Sequence, residues 1–297
     1  MRPAPICAAM LALALSACQP ARPDAPYAPL PPATTPGASV AADDNLNAVL
    51  WVQRSAEYRA TTLQTYRAAA AQLDAALADP GWDALVAAER EGRGPGLKPA
   101  VVLDIDETVL DNSPYQARLV RDGAEYADPS WDAWVEERKA RALPGVVDFA
   151  RAANARGITL VYISNRAVHL GQATLDNLRA EGLPVDGDDV FLGLGTVVPG
   201  CEQHGSEKDC RRRLASRKYR VLMQFGDQLG DFLKIEDNSP AGRQALLDRH
   251  GDWFGNRWWM LPNPTYGSWE PALFDNQWSQ PRPQRRAAKR AALEVAP

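Results

Sequence analysis

Three short apolar runs, each followed by a polar residue, form the clearest pattern along this chain. The runs are rich in β-branched residues and cover residues 100–103, 158–163 and 220–225. Helical spacing predicts helices over residues 146–156 and 169–181, and a glycine that can end a helix follows each of them. Strands that alternate with helices predict an α/β fold in which helices cover both faces of a parallel sheet.

The polar residues that follow these strands are Asp104, Ser164 and Asp227. In parallel sheets, ligands bind beyond the carboxyl ends of the strands, so we expect these side chains to meet at one edge. Upstream, apolar spacing predicts one helix from about residue 46 to residue 79, where Pro80-Gly81 ends it.

The two ends of the chain have compositions unlike the middle. Residues 1–17 read as a signal peptide, with one early arginine and an apolar run too short to span a bilayer. Residues 15–18, Leu-Ser-Ala-Cys, resemble the bacterial lipobox, in which the cysteine (here Cys18) becomes lipidated; an ordinary signal peptide with an incidental cysteine is the alternative. The following Gln19 resembles the sorting pattern for the outer membrane. We therefore expect a lipid-anchored protein of the bacterial cell envelope, facing the periplasm or the surface.

Proline- and alanine-rich residues 18–43 cannot bury enough apolar surface to fold, which predicts a disordered tether. Residues 44–275 form the predicted folded domain. Residues 276–297 read as a flexible basic tail, for which lying on anionic lipid is the alternative.

Overall composition limits the classes of function. The 297 residues include 33 Lys+Arg and 37 Asp+Glu, and the net charge of -4 argues against a binder of nucleic-acid polymers. Only three histidines are present, too few for a histidine-rich metal centre. The sequence Arg249-His250-Gly251 lacks the rest of a histidine-phosphatase signature, and no P-loop motif occurs.

Carboxylates carry the strongest chemical signal. Asp104 and Asp106 leave a strand on the same side, and like charges this close demand a cation or a raised pKa. Asp227 and Asp231 add two carboxylates one helical turn apart. Four carboxylates at one sheet edge suit a hard divalent ion such as Mg²⁺, whereas a single aspartate after a strand more often caps a helix.

These motifs resemble the haloacid dehalogenase (HAD) superfamily of phosphotransferases. Residues 104–108, Asp-Ile-Asp-Glu-Thr, match its first motif, Ser164 matches the second, and Asp227 with Asp231 matches the fourth. The resemblance implies a Rossmann-like core with a parallel sheet and a smaller, mainly helical cap.

More narrowly, the chain resembles the class C acid phosphatases, which are bacterial lipoprotein phosphomonoesterases. The residues that carry this likeness are 104–115, 131–135, 144–145, 164–166, 226–232 and 263–270. The resemblance implies an acid phosphatase that hydrolyses phosphomonoesters, nucleoside 5′-monophosphates among them. Sugar or aryl phosphates are the alternative substrates, and a non-catalytic ligand-binding surface lipoprotein is the alternative class.

The resemblance also implies roles for individual residues. Asp104 is the expected nucleophile and Asp106 the general acid and base, with Mg²⁺ held by Asp104, Asp106, Asp227 and Asp231. Ser164, Asn165 and Lys208 are expected to bind phosphate. Lys208, followed by Arg211, matches motif three, although the segment before it departs from the family and a solvated surface lysine is the alternative.

Four aromatic residues could form a slot for a nucleobase, since stacking tolerates different bases. They are Tyr126, Trp131, Trp134 and Tyr266, and packing in the core or in a lid is the alternative for each. The expected partners are a small phosphomonoester and, through the anchor, the membrane; a homodimer is left open.

Cys201 and Cys210 are expected to form a disulfide. They are the two cysteines left once Cys7 is removed and Cys18 is lipidated, and disulfides persist outside the cytoplasm. Free thiols or a metal site with His204 are the alternatives.

Overall fold

A sheet of five parallel strands, in the order β5-β4-β1-β6-β7, organises the structure, a computed structural model that describes residues 43–92 and 96–296. The strands are β1 (Lys98–Leu103), β4 (Thr159–Ala167), β5 (Phe191–Leu194), β6 (Tyr219–Gly226) and β7 (Trp258–Met260). A separate antiparallel pair joins β2 (Leu110–Asp111) to β3 (Arg141–Ala142). The predicted α/β fold with a parallel sheet is confirmed.

Helices in the described ranges precede, connect and follow these strands. They are α1 (Leu46–Arg54), α2 (Ala56–Ala78), α3 (Ser113–Asp122), α4 (Asp128–Glu136), α5 (Val146–Asn154), α6 (Gly171–Ala180), α7 (Asp209–Ser216), α8 (Pro240–His250) and α9 (Arg282–Ala291). Helices α3 and α4, with the β2–β3 pair, form the smaller helical part, which belongs to the same compact unit as the sheet. None of the helices in the described residues is both long and apolar enough to cross a bilayer.

Alternate residues of β1 pack on opposite faces of the sheet. Val101 and Leu103 belong to one buried cluster, whereas Ala100 and Val102 belong to another. Leu103 lies opposite both Tyr162 of β4 and Phe225 of β6. Leu103, Tyr162 and Phe225 are therefore level, and the residues that come next in the three strands meet at one edge, although β4 continues past Ser164 to Ala167.

The helix predicted over residues 46–79 is two helices. Ser55 is extended (φ -78°, ψ 141°), and its Oγ accepts a hydrogen bond of 3.0 Å from the backbone N–H of Tyr58. Serine is a preferred N-cap, so it ends α1 and begins α2 while the apolar spacing continues across the break.

The expected flexible tail at 276–297 contains a helix, Arg282–Ala291. Its basic side chains pair with acidic residues elsewhere in the chain; Arg286 lies 2.8 Å from Asp44, for example. The signal peptide, Cys18 and all but residue 43 of the tether lie outside the described residues.

Candidate active site

Asp104 begins the site at the end of β1. Its backbone N–H donates 2.9 Å to the carbonyl of Phe225, which ties it to the end of β6. Carboxylate oxygens of Asp104, Asp227 and Asp231 lie within 4.8 Å of one another. The topology thus brings together three of the four predicted carboxylates, as level strand ends require.

Burial dominates the electrostatics of this group. It raises the pKa of Asp104 to about 7, Lys208 opposes the rise, and Asp231 and Asp106 add to it. Burial, reinforced by Asp231 and Asp104, also raises the pKa of Asp227 well above its ordinary value. Three clustered carboxylates exceed the charge of one lysine, and oxygen ligands of this kind fit a hard divalent cation.

Lys208 lies inside this group. It is buried, and its Nζ donates to Asp104 and, at 2.6 Å, to Asp231. Burial lowers the pKa of Lys208, but the two carboxylates outweigh it and leave the pKa above its ordinary value. The structure therefore places this lysine at the site as a charged group. The alternative interpretation of Lys208, as a solvated surface lysine, is wrong.

The turn after β6 depends on a glycine. The Oδ2 atom of Asp231 accepts a hydrogen bond of 2.9 Å from the backbone N–H of Gln228, and a Cβ at Gly226 would overlap the Asp231 side chain. Arg212, fully buried, supports the same turn by donating 2.8 Å to the carbonyl of Gly230 and pairing with Glu89 at 2.5 Å. This buried ion pair fixes the segment that carries Asp231.

The Asp106 carboxylate is not part of the three-carboxylate group. Arg166 Nε donates 2.9 Å to Asp106 Oδ1, and Nη2 lies 2.8 Å from the same oxygen. Asn112 Nδ2 donates 2.9 Å to Oδ1, while Ser164 Oγ lies 3.4 Å from Oδ2. The Asp106 carboxylate is thus held apart from the three-carboxylate group, so only its backbone carbonyl is left as the metal ligand expected from this residue.

Arg211 connects the segments that carry Ser164, Asn165 and Lys208, the residues expected to bind phosphate. This buried guanidinium donates 2.5 Å to the carbonyl of Ser164 and 2.7 Å to Asn165 Oδ1. It also donates 2.9 Å to the carbonyl of Glu207, next to Lys208. The contact with Arg211 fixes the orientation of the Asn165 side-chain amide.

Three aromatic rings cluster beside Arg166. Trp131 lies 5.2 Å from Tyr115 and 6.2 Å from Tyr126 between ring centroids. The Arg166 guanidinium lies 5.6 Å from the centroid of Trp131. We call Tyr115, Tyr126 and Trp131 the aromatic cluster.

Trp134 was expected in the slot, and the structure corrects this. Its side chain is 2 % exposed, its indole N–H donates 2.8 Å to Asn112 Oδ1, and Arg118 lies 5.0 Å from its ring centroid. The indole N–H needs a buried acceptor, and Asn112 supplies it inside the protein. Trp134 therefore packs in the core and orients the amide that contacts Asp106.

Tyr266 lies next to the acidic residues and is not a member of the aromatic cluster. Its hydroxyl donates to Glu107 Oε2, and the other oxygen of Glu107 accepts 2.8 Å from the backbone N–H of Asn112. Burial, with Asp106 and Asp227 nearby, raises the pKa of Glu107 well above its ordinary value. Glu107 adopts a left-handed conformation (φ 57°), which costs about 1–3 kcal/mol and marks a constrained turn.

The expected bond between Cys201 and Cys210 is present. Cys210 is buried in the first turn of α7, and the closed loop contains Lys208. Because both sulfur atoms are used, the alternatives of free thiols and of a metal site with His204 do not fit the structure.

Sequence reasoning missed Arg166, Tyr115 and Glu107 as site residues. Arg166 follows Ser164 by two positions on a strand and so lies on the same face, which could have identified it. Tyr115 precedes Trp131 in a separate helix, and no spacing rule connects them. Glu107 was quoted only as part of a motif.

The described site lies within a stretch that matches known proteins. The family model of HAD superfamily subfamily IIIB, acid phosphatase, matches residues 11–269. A solved structure of the class C acid phosphatase from Bacillus anthracis with tungstate bound is 34% identical, covers 85% of this chain and 98% of its own, and has a TM-score of 0.74. A second structure of that enzyme is also 34% identical over the same shares, with a TM-score of 0.73.

Proposed function

Because this chain belongs to the acid phosphatases of HAD subfamily IIIB, and is therefore a phosphomonoesterase, we propose that it hydrolyses nucleoside 5′-monophosphates and related phosphomonoesters with Mg²⁺. The observation that carries this proposal is the aromatic cluster, which contacts Arg166 and, through it, Asp106. Trp131 and Tyr126, the two members of the cluster that are not buried, could stack on a nucleobase whose phosphate lies at Asp104, with the buried Tyr115 packed against both rings.

Asp104 is the proposed nucleophile. In-line attack by its free carboxylate oxygen on phosphorus breaks the ester bond and forms an aspartyl-phosphate, and water then cleaves the acyl phosphate. Lys208 orients the attacking carboxylate through its contact with Oδ1. Burial excludes bulk water from the nucleophile, which is 6 % exposed.

Asp106 is the proposed proton donor to the leaving alcohol and the base for the attacking water. Its side chain is 15% exposed, so one face can meet a substrate oxygen while Arg166 and Asn112 hold the other. Acid–base catalysis of this kind contributes about 10²–10⁴-fold, and it requires a fixed geometry.

The phosphate oxygens would be bound by Lys208 and by donors at the end of β4. Those donors are the Ser164 hydroxyl and the Asn165 amide. Arg211 holds both residues, because it donates to the backbone carbonyl of Ser164 and to the side-chain oxygen of Asn165. In the Bacillus anthracis relative the bound tungstate is a tetrahedral oxyanion, the shape that such a site would hold.

Phosphatases of this superfamily generally use a divalent metal, and the donor set here fits one. Asp104, Asp227 and Asp231 would hold it, together with the Asp106 carbonyl. Bound Mg²⁺ would offset the repulsion between these carboxylates and a phosphate dianion. Asn263 Nδ2 donates 2.8 Å to Asp227 Oδ2 and so orients that ligand.

We also propose that the enzyme is lipid-anchored in the bacterial cell envelope through Cys18, at the outer membrane. The support is the lipobox-like sequence together with the disulfide, which suits an oxidising compartment. Labelling with a radioactive fatty acid should mark the parent protein and leave a Cys18→Ser variant unlabelled. Equal labelling of both proteins would contradict the anchor.

A phosphate-release screen tests the substrate and the metal. The panel contains nucleoside 5′-monophosphates, 3′-AMP, p-nitrophenyl phosphate, glucose 6-phosphate and glycerol phosphate, with Asp104→Asn protein as the matched blank. We expect the highest kcat/KM with the 5′-nucleotides, loss of turnover after chelation, and the fullest recovery with Mg²⁺. A higher kcat/KM for glucose 6-phosphate or the aryl phosphate would favour the alternative substrates, and turnover that survives chelation would contradict the metal.

A further inference from the structure

The C-terminal helix α9 lies beyond residues 11–269, the part of the chain that matches the family. It is strongly basic, and its side chains pair with acidic residues from distant parts of the sequence. The pairs are Arg282–Asp43 (3.7 Å), Arg286–Asp44 (2.8 Å), Lys289–Glu270 (2.9 Å) and Arg285–Glu125. These contacts hold a helix whose apolar side consists of alanines and which buries none of its residues.

Two arginines of α9 form hydrogen bonds with the loop between α3 and α4. Arg282 Nη1 donates 3.2 Å to the carbonyl of Gly123, and Arg285 Nη2 donates to Glu125. Arg285 is only 11% exposed, because it also donates 2.9 Å to the Trp278 carbonyl and lies over the Trp278 ring at 5.3 Å. The arginine that contacts the loop is therefore itself firmly placed.

This loop carries Tyr126, the most exposed member of the aromatic cluster. Residues 123–127, which form the loop, are all exposed, so little packing restrains them. From Tyr126 the contacts continue inward: Trp131 at 6.2 Å between ring centroids, then Arg166 at 5.6 Å from the Trp131 ring, then Asp106 at 2.8 Å. Helix α9 is thus connected to the proposed general acid through the cluster.

We propose that α9 is a specificity element that holds Tyr126 in place for stacking on an aromatic substrate group. An exposed loop that must order on binding costs affinity, and a loop that is already held lowers this cost. The benefit goes only to substrates that reach the aromatic cluster, so Arg285 is a positioning residue for nucleotides and not for small phosphates. This inference rests on the nucleotide substrate proposed above.

The variants Arg285→Gln and Arg286→Gln form a matched pair. Both remove one charge from the same helix, but the first loses a contact to the Tyr126 loop and the second loses a contact to Asp44. Glu125→Gln breaks the first contact from the loop side and leaves the sequence of α9 intact.

The readouts are KM and kcat for 5′-AMP and for glycerol phosphate, with hydrogen exchange of residues 121–130. For Arg285→Gln and Glu125→Gln we expect KM for 5′-AMP to rise about two- to fivefold, as suits a partly buried ion pair, with kcat and the glycerol phosphate KM unchanged. Exchange of the loop should quicken in these two variants and not in Arg286→Gln. In a Tyr126→Ala background, Arg285→Gln should add no further change in KM.

Two failures are distinguishable. A parent enzyme that prefers 5′-AMP, with an equal response of Arg285→Gln and Arg286→Gln or of both substrates, would overturn the role of α9 and leave the proposed function standing. A parent enzyme with the same kcat/KM for 5′-AMP and glycerol phosphate would overturn the nucleotide substrate, and the specificity role with it.

Discussion

Replacing Arg166 by lysine should impair the reaction most where the leaving group needs a proton. The guanidinium is 1 % exposed, and its Nε and Nη2 atoms lie 2.9 Å and 2.8 Å from the same oxygen of Asp106. Lysine keeps the positive charge but cannot reproduce a planar fork. In the Arg166→Lys variant a positive charge would therefore still lie beside the Asp106 carboxylate, but the carboxylate would lose its fixed orientation.

The free-energy cost of the lost hydrogen bond sets the expected size of the effect on kcat/KM. Losing one hydrogen bond between charged groups costs about 1.5–3 kcal/mol, and if that cost falls on the transition state kcat/KM drops about 10- to 100-fold. The whole contribution of a general acid, about 10²–10⁴-fold, is the upper limit. The fall in kcat/KM of Asp106→Asn, measured in the same assay, gives that upper limit.

The assay compares kcat/KM for alkyl phosphates with that for aryl phosphates, because this parameter reports the proposed transfer of phosphate to Asp104. Alcohols that leave poorly need the proton, so Arg166→Lys should lower kcat/KM far more for alkyl than for aryl esters. Thr174→Val is the matched control, since it removes another contact of Arg166, at 3.4 Å, without touching Asp106. Equal losses for the two ester classes would refute the positioning of the acid by Arg166.

Four further outcomes are expected. Asp104→Asn should abolish turnover with an unchanged circular dichroism spectrum, and activity within about tenfold of the parent would contradict its role as nucleophile. Burial raises the pKa of Asp104 from 3.8 to about 7, so the folded, metal-free chain retains a proton that the unfolded chain releases. The contribution of Asp104 to stability should be complete below pH 3.8 and be lost as the pH rises through about 7; thermal melts should show this slope in the parent and less of it in Asp104→Asn. Trp131→Ala should raise KM for 5′-AMP more than for glycerol phosphate, while Trp134→Phe should lower Tm and leave the ratio of the two KM values unchanged; the reverse pattern would restore Trp134 to the slot. Cys201→Ser/Cys210→Ser should lower the free energy of unfolding by about 2.5–3 kcal/mol and reduce kcat/KM, and an unchanged kcat/KM would separate the bridge from Lys208.

The sheet and its acidic edge were predictable because few residues determine them. Apolar runs define the strands, parallel pairing aligns their ends, and Asp104, Ser164 and Asp227 then meet without any knowledge of side-chain packing. Lys208 was harder to predict, since its loop differs from the family pattern and only its position relative to Asp227 indicated it.

The errors concern choices that packing makes. Trp131 and Trp134 are three positions apart in one helix, so spacing places both on one face and cannot tell which indole finds a buried acceptor. The break at Ser55 interrupts a pattern that continues on both sides. Helix α9 has only alanines on its apolar side and buries no residue, and three of the four acidic residues that hold it are far away in the sequence.

The pairing of α9 with the first described residues has a kinetic consequence. The hydrogen bonds between Arg286 and Asp44 join positions 242 apart, so they can close only after the intervening chain is in place. We expect contacts between such distant positions to form late, and contacts that are absent from the folding transition state slow unfolding without speeding folding. The ion pairs between α9 and residues 43–44 would thus extend the lifetime of the folded enzyme.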